Sequence, residues 1–134
     1  MPAVFVHGVP DTQRVWHAAT SRLNDERAAA VIAEAHRLVP GKPIRSVINS
    51  HHHFDHSGGL RAFAAAGIGV ITHESNRAFF ESAPMAPAAM TPDRQQSARR
   101  RVPVEGVHDK RVLIDGARTV ESHQWRGTRT PTAC

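Results

Sequence analysis

The sequence predicts an α/β fold, a short β-sheet with flanking helices, on three observations. Short β-branched runs alternate with helix-forming stretches, Pro and Gly punctuate the boundaries between them, and one apolar run leads directly into a cluster of metal-binding side chains. Sites in open α/β sheets stand outside the carboxyl ends of strands, so the third observation is also a topological one. At 134 residues, 40% hydrophobic and 22% charged, the chain has the length and composition of one modest globular domain. Tyrosine is absent and aromatic residues are few, so packing falls to Ala, Val, Ile and Leu.

Taken in order, Ala3-Val4-Phe5-Val6 is a strand-forming run stopped by His7-Gly8-Val9-Pro10. Arg14 to Leu23 has helical character. Asn24 is placed to cap a clearer helix, with Asp25 and Glu26 in its first turn and Ala28, Val31, Ile32, Ala35 and Leu38 on one apolar stripe. Pro40-Gly41 ends that helix, and Ile44 to Asn49 reads as a short buried strand that delivers Ser50 and the histidines at its carboxyl end. Gly58-Gly59 turns the chain into a helix from about Leu60 to Ala66, which Gly67 ends. Gly69 to Thr72 is the next parallel strand, carrying His73-Glu74 at its end, and a short helix runs through Phe79-Phe80. Ser82 to Arg101, rich in Pro, Met, Ala and Arg without period, reads as a loop. Arg111 to Ile114, the turn Asp115-Gly116, and Arg118 to Ser122 predict a β-hairpin.

Residues 51 to 56 read His-His-His-Phe-Asp-His, so His51, His53, Asp55 and His56 form His-x-His-x-Asp-His, followed by Ser57-Gly58-Gly59. Three imidazoles and a carboxylate suit zinc or a similar divalent ion, which both donor types coordinate at about 2.0–2.2 Å. In an extended or turn-like segment alternate side chains point the same way, so His51 and His53 share one ion while Asp55 and His56 face a second. The alternative, a solvated histidine-rich loop or part of a purification tag, is disfavoured by the internal position after an apolar stretch and by the Phe-Asp pair. His73, expected on the same sheet edge, and His123, on the last strand, are candidate substitute ligands. Glu74 is either an acceptor orienting an imidazole or a first-turn acid. His7, His17, His36 and His108 read as structural or solvated.

Net charge is +5, carried by fifteen Arg against two Lys. The arginines are scattered apart from Arg99-Arg100-Arg101 and lack interleaved aromatics, which argues against a nucleic-acid surface. The single cysteine, Cys134, excludes an internal disulfide and a Cys-based zinc site. Met1 to Val9 has neither the positive region nor the apolar length of a secretion signal, and no apolar stretch approaches 18 residues. The expectation is therefore a cytoplasmic chain with no membrane partner.

Strand, His-x-His-x-Asp-His and Gly-Gly-helix together resemble the metallo-β-lactamase-fold hydrolases. The likeness extends over about residues 24–127 and includes Asn24-Asp25-Glu26-Arg27, Pro40-Gly41-Lys42-Pro43-Ile44-Arg45, Ser50 to Leu60 and Asp109-Lys110-Arg111-Val112-Leu113. It implies a partial αβ/βα fold, truncated at both ends, with two zinc ions, His51 and His53 on the first and Asp55 and His56 on the second. It also implies hydrolysis, with a metal-activated hydroxide attacking an ester, lactone, thioester or β-lactam carbonyl of a small-molecule substrate, and Asp55 orienting the nucleophile. Residues 1–23, with Val4-Phe5-Val6-His7-Gly8-Val9-Pro10-Asp11-Thr12 and Trp16, are instead similar to the opening of α/β-hydrolases, but no Gly-x-Ser-x-Gly elbow follows.

The family completes its first zinc site with a histidine in a Gly-Asn-Pro-His-x-Asp-Gly setting; here Thr130 stands at that place, and the ligand set is incomplete. The alternatives to an active hydrolase are a non-catalytic metal-binding fragment and a chimeric product without evolved activity. Open sheet edges in a partial domain also invite self-association. Residues 128–134 read as an aberrant, frameshifted tail. Suppose that an ancestral gene carried the run GGC AAC CCG CAC CCC GAC GGC ATG CTG A, with third bases chosen to suit, which encodes Gly-Asn-Pro-His-Pro-Asp-Gly-Met-Leu. Loss of one A from its second codon yields Gly-Thr-Arg-Thr-Pro-Thr-Ala-Cys and a stop, the string that begins at Gly127. Sequencing the gene tests this: shifting frame after the Gly127 codon is expected to restore Pro-His-x-Asp-Gly, and any other reading contradicts the frameshift.

Overall fold

The computed structural model describes residues 4–5, 17–87, 92–116 and 118–123, with side chains described from residue 24 onward except at positions 54 and 55. A parallel sheet is assembled in chain order from β1 (Val4–Phe5), β2 (Ser46–Ile48), β3 (Gly69–His73) and β4 (Val104–Val107). Val47 pairs with Val4 on one side and Val70 on the other, and His73 stands opposite Val107. The β3 residues from Gly69 to Thr72 are all buried, as expected of a central parallel strand covered on both faces.

Helix α1 (His17–Leu38) precedes β2, and α2 (Phe54–Ser57) and α3 (Leu60–Ala65) lie between β2 and β3. A single helix runs through Asn24, so that residue is not the cap the sequence predicts. Asp25, rather than occupying a first turn, is ion-paired with Arg94. The α1 stripe is narrower than predicted: Ala28, Ile32 and Ala35 pack on the core, whereas Val31 and Leu38 are exposed. The core itself is built from Ile44, Val47, Leu60, Ala62, Phe63, Ile68, Val70 and Phe80. Gly59 is required by a close approach rather than by its torsions, since a Cβ there would lie 3.0 Å from the Ala28 Cβ of α1. Gly67 ends the helical segment with φ of +79°, where glycine carries no steric penalty.

After β3 come a 3₁₀ turn at Glu74–Asn76, α4 (Arg77–Ser82) and a second 3₁₀ turn at Ala83–Met85. The segment read as a loop from Ser82 to Arg101 thus contains structure, including α5 (Arg94–Ala98). Three sets of contacts hold its described residues. Asp93 caps α5 by accepting from the Gln96 N–H at 2.8 Å, and Arg61 on α3 pairs with Asp93 while donating to the carbonyls of Ala83, Pro84 and Ala86. Buried Gln95 donates its amide to the Arg100 carbonyl and closes the segment. Strand β4 was not predicted because Pro103 and Gly106 break its pattern. Gly106 leaves room there for Glu74, whose Oε2 lies 1.7 Å from where a Cβ would stand and whose carboxylate would have to swing aside for one.

The predicted hairpin is present as β5 (Lys110–Asp115) and β6 (Arg118–His123), antiparallel, with Leu113 opposite Val120. It forms a separate two-stranded sheet, tied back by Lys42–Asp115 and Arg111–Glu105 ion pairs.

The Arg61–Asp93 pair sets a pH dependence. Burial raises the Asp93 carboxyl, but the Arg61 guanidinium and the Gln96 N–H outweigh it and hold the group below its ordinary value of 3.8. A depressed carboxylate stabilises the fold fully above the unfolded value and loses that contribution as pH falls through the folded one. Chemical denaturation across pH is therefore expected to show wild type more stable than Asp93→Asn by a constant margin near neutrality. The margin should shrink below about pH 4, near the ordinary carboxylate value; one that widened in acid would contradict the assignment.

Candidate metal centre

Strand β2 ends at Ile48, but the Asn49 N–H still donates to the Ile71 carbonyl at 2.9 Å, so pairing with β3 continues to the edge of the motif. Beyond it the chain turns away. The His53 carbonyl accepts from the N–H groups of both His56 (3.0 Å) and Ser57 (2.9 Å), which starts α2, and Ser57 Oγ donates to the His52 carbonyl at 2.9 Å. The segment is thus a bend followed by one helical turn, not an extended strand. Residues three apart on a turn share a face, so His53 and His56 lie on one side and the chain folds back on His51.

Ring geometry follows from that turn. The His51 ring lies 4.0 Å from that of His56 and 4.8 Å from that of His53, centroid to centroid. His51 is therefore central to the cluster, where alternation alone pairs it with His53. Ser50 Oγ lies 3.0 Å from His51 Nδ1 and 3.4 Å from His56 Nδ1. The backbone of Asp55 is in α2, while its side chain lies outside the described residues.

His52 points elsewhere. Its Nδ1 contacts Asn76 Oδ1 at 3.0 Å and its ring packs 5.4 Å from Phe79, linking the motif to the segment after β3. From the other side, buried Asn49 donates its side-chain amide to the His56 carbonyl at 2.8 Å. Asn49 is 5% and Asn76 8% exposed. Among the described residues, Asn49 Oδ1 and Thr72 Oγ1 are buried without a hydrogen-bond partner. A buried polar atom in that state costs about 1–3 kcal/mol, so this corner of the sheet is locally destabilised.

His73 ends β3, as predicted, and its Nδ1 accepts from the Ser75 N–H, capping the 3₁₀ turn. His123 stands on β6, its Nε2 paired with Glu121 at 2.9 Å. Glu74 packs over Gly106 and faces Arg77 at 3.9 Å, the behaviour of a first-turn acid. His7, Thr130 and Cys134 lie outside the described residues, as does the side chain of His17. Sequence reading missed Asn49 and Asn76; the available signal for Asn49 was an amide at the end of a strand read as buried.

The donors suit a first-row divalent ion, since imidazole and carboxylate are the ligands such ions take. Among the described residues, no group of three or more His, Cys, Asp or Glu side chains is arranged to hold a metal ion. A family model described as the metallo-beta-lactamase superfamily matches residues 19–134. The chain belongs to that superfamily. This is a family of metal-dependent hydrolases, and the mixed α/β architecture agrees with a partial domain of the metallo-beta-lactamase kind. The match takes in most of α1 and leaves 1–18 outside, so the α/β-hydrolase likeness of the opening residues gains no support from it. No curated protein and no solved structure was found to match the chain. Among the described residues, no helix of the metallo-beta-lactamase domain is long and apolar enough to cross a membrane.

Proposed function

We propose that the chain is a zinc-dependent hydrolase of the metallo-beta-lactamase type, acting on the carbonyl of an ester, lactone, thioester or β-lactam. The observation that carries this reading is the gathering of three motif imidazoles, His51 within 4.0 Å of His56 and 4.8 Å of His53, at the carboxyl edge of a parallel sheet. His51, His53, Asp55 and His56 are the residues that would hold the metal. When bound there, such an ion supplies hydroxide near neutral pH and polarises the carbonyl under attack.

The chain's own residues prepare for that chemistry. Neutral imidazole coordinates through one nitrogen while the other keeps its proton, and a metal-bound histidine almost always donates that proton to a nearby acceptor. Ser50 Oγ has two lone pairs and stands beside Nδ1 of both His51 and His56, so it can accept from both and turn both Nε2 atoms to the metal. Asp55, a carboxylate one residue before His56, would orient the attacking nucleophile.

Zinc titration followed by metal analysis and circular dichroism on one sample tests the site, and hydrolysis of ester and lactone substrates with and without chelator tests the chemistry. Wild type is expected to retain zinc and to turn over substrate in a chelator-sensitive way, and His53→Ala to lower zinc occupancy. Equal zinc content in wild type and His53→Ala contradicts the ligand assignment. Zinc retention without turnover contradicts the hydrolase reading and leaves a metal-binding protein.

A further inference from the structure

We infer that two buried asparagines, Asn49 and Asn76, are positioning residues that hold the two ends of the His51–His56 segment and thereby set its metal affinity. The inference rests on the metal-binding reading above and names residues outside the ligand motif. Asn49 stands two residues after Val47, so the two side chains leave the sheet on the same face. Val47 is fully buried there against an apolar core. A similarly sized apolar side chain would suit that position better, because the Asn49 Oδ1 is buried without a partner among the described residues. The amide group instead donates Nδ2 to the His56 carbonyl at 2.8 Å. Since the Asn49 N–H is bonded to Ile71, the clamp refers His56 directly to the β2–β3 pairing.

Asn76 shows the same diversion. It occupies the N-cap position of α4, where an asparagine side chain ordinarily accepts from the helix's own N–H groups. Here it makes no capping bond. Its Oδ1 lies 3.0 Å from His52 Nδ1, so the imidazole donates to it and ties the segment after β2 to the one after β3. Each amide thus forgoes the role its own element offers and secures the motif, one by its side chain at His52 and one by its backbone at His56. Between these fixed points the rings of His53 and His56 lie 4.8 and 4.0 Å from that of His51, near one another though not in a metal-holding arrangement. Losing a direct hydrogen-bond partner of a metal ligand lowers affinity about 10–100-fold, which bounds the effect of losing these clamps.

The test compares zinc affinity, by competition with a chromophoric chelator, with the melting temperature of the metal-free protein. Asn49→Leu removes the donor and the unpartnered oxygen together, so it is expected to leave metal-free stability unchanged or raised while zinc affinity falls by up to about 100-fold. Asn76→Leu should lower affinity likewise, and Asn76→Asp, which keeps an acceptor, should restore it. Val47→Ala serves as a control that destabilises the same strand without touching the motif and should leave affinity unchanged. Unchanged affinity in both leucine variants overturns the inference while leaving the metal site intact; failure of wild type to bind zinc overturns the reading beneath it. Should Asn49→Leu not fold, nitrogen NMR of the metal-free wild type decides the Asn76 clamp. His52 in the Nδ1–H tautomer supports it, and the Nε2–H tautomer overturns it.

Discussion

Pairing of β2 with β3 places every chemical group of interest in this chain. Two parallel strands in register end at the same edge, and here Ser46, Val47 and Ile48 stand opposite Gly69, Val70 and Ile71. The residues that follow, the histidine motif after β2 and His73-Glu74 after β3, therefore emerge side by side. The pairing depends in turn on burial. Val47 and Val70 sit in the apolar core with Phe63 of α3 and Ala28 of α1, and a one-residue slip would turn that set to the opposite face. Glycine at 59 belongs to the same constraint, because α3 must approach α1 closely enough to cover β2.

At the edge of the sheet the energetics change sign. Inside, apolar side chains are removed from water at a gain of about 25 cal/mol per Å². At Asn49, Thr72 and Asn76 polar groups are buried instead, two of them with an atom lacking a partner among the described residues. The two unpartnered atoms, on Asn49 and Thr72, work against folding. The surrounding scaffold absorbs the cost through contacts remote from the motif. Arg61 is prominent among them, fastening α3 to Asp93 and to the carbonyls of Ala83, Pro84 and Ala86.

Much of this was legible in the residues. The β-branched run at 44 to 49, the histidine motif and the Gly-Gly step predicted a strand, a site and a helix in that order, and the hairpin around Asp115-Gly116 announced itself by turn chemistry. The less legible parts share a cause: they depend on partners distant in sequence. No local pattern reveals that Arg61 will pair with Asp93, and reading 82 to 101 as a loop passed over Asp93 as the cap of α5. Strand β4 hides behind Pro103 and Gly106, and Gly106 has its meaning only once Glu74 lies over it. In the motif, residue types were readable and ring arrangement was not. Alternation assumes an extended backbone, whereas the His53 carbonyl nucleates a helical turn that brings His56 back to His51.

That folded-back cluster is the central claim, and X-ray absorption at the zinc edge of the loaded protein addresses it most directly. Zinc held by the cluster should show a shell of nitrogen and oxygen ligands at about 2.0–2.2 Å, with no sulfur and with the outer-shell scattering characteristic of more than one imidazole. An oxygen-only shell without imidazole scattering would contradict it.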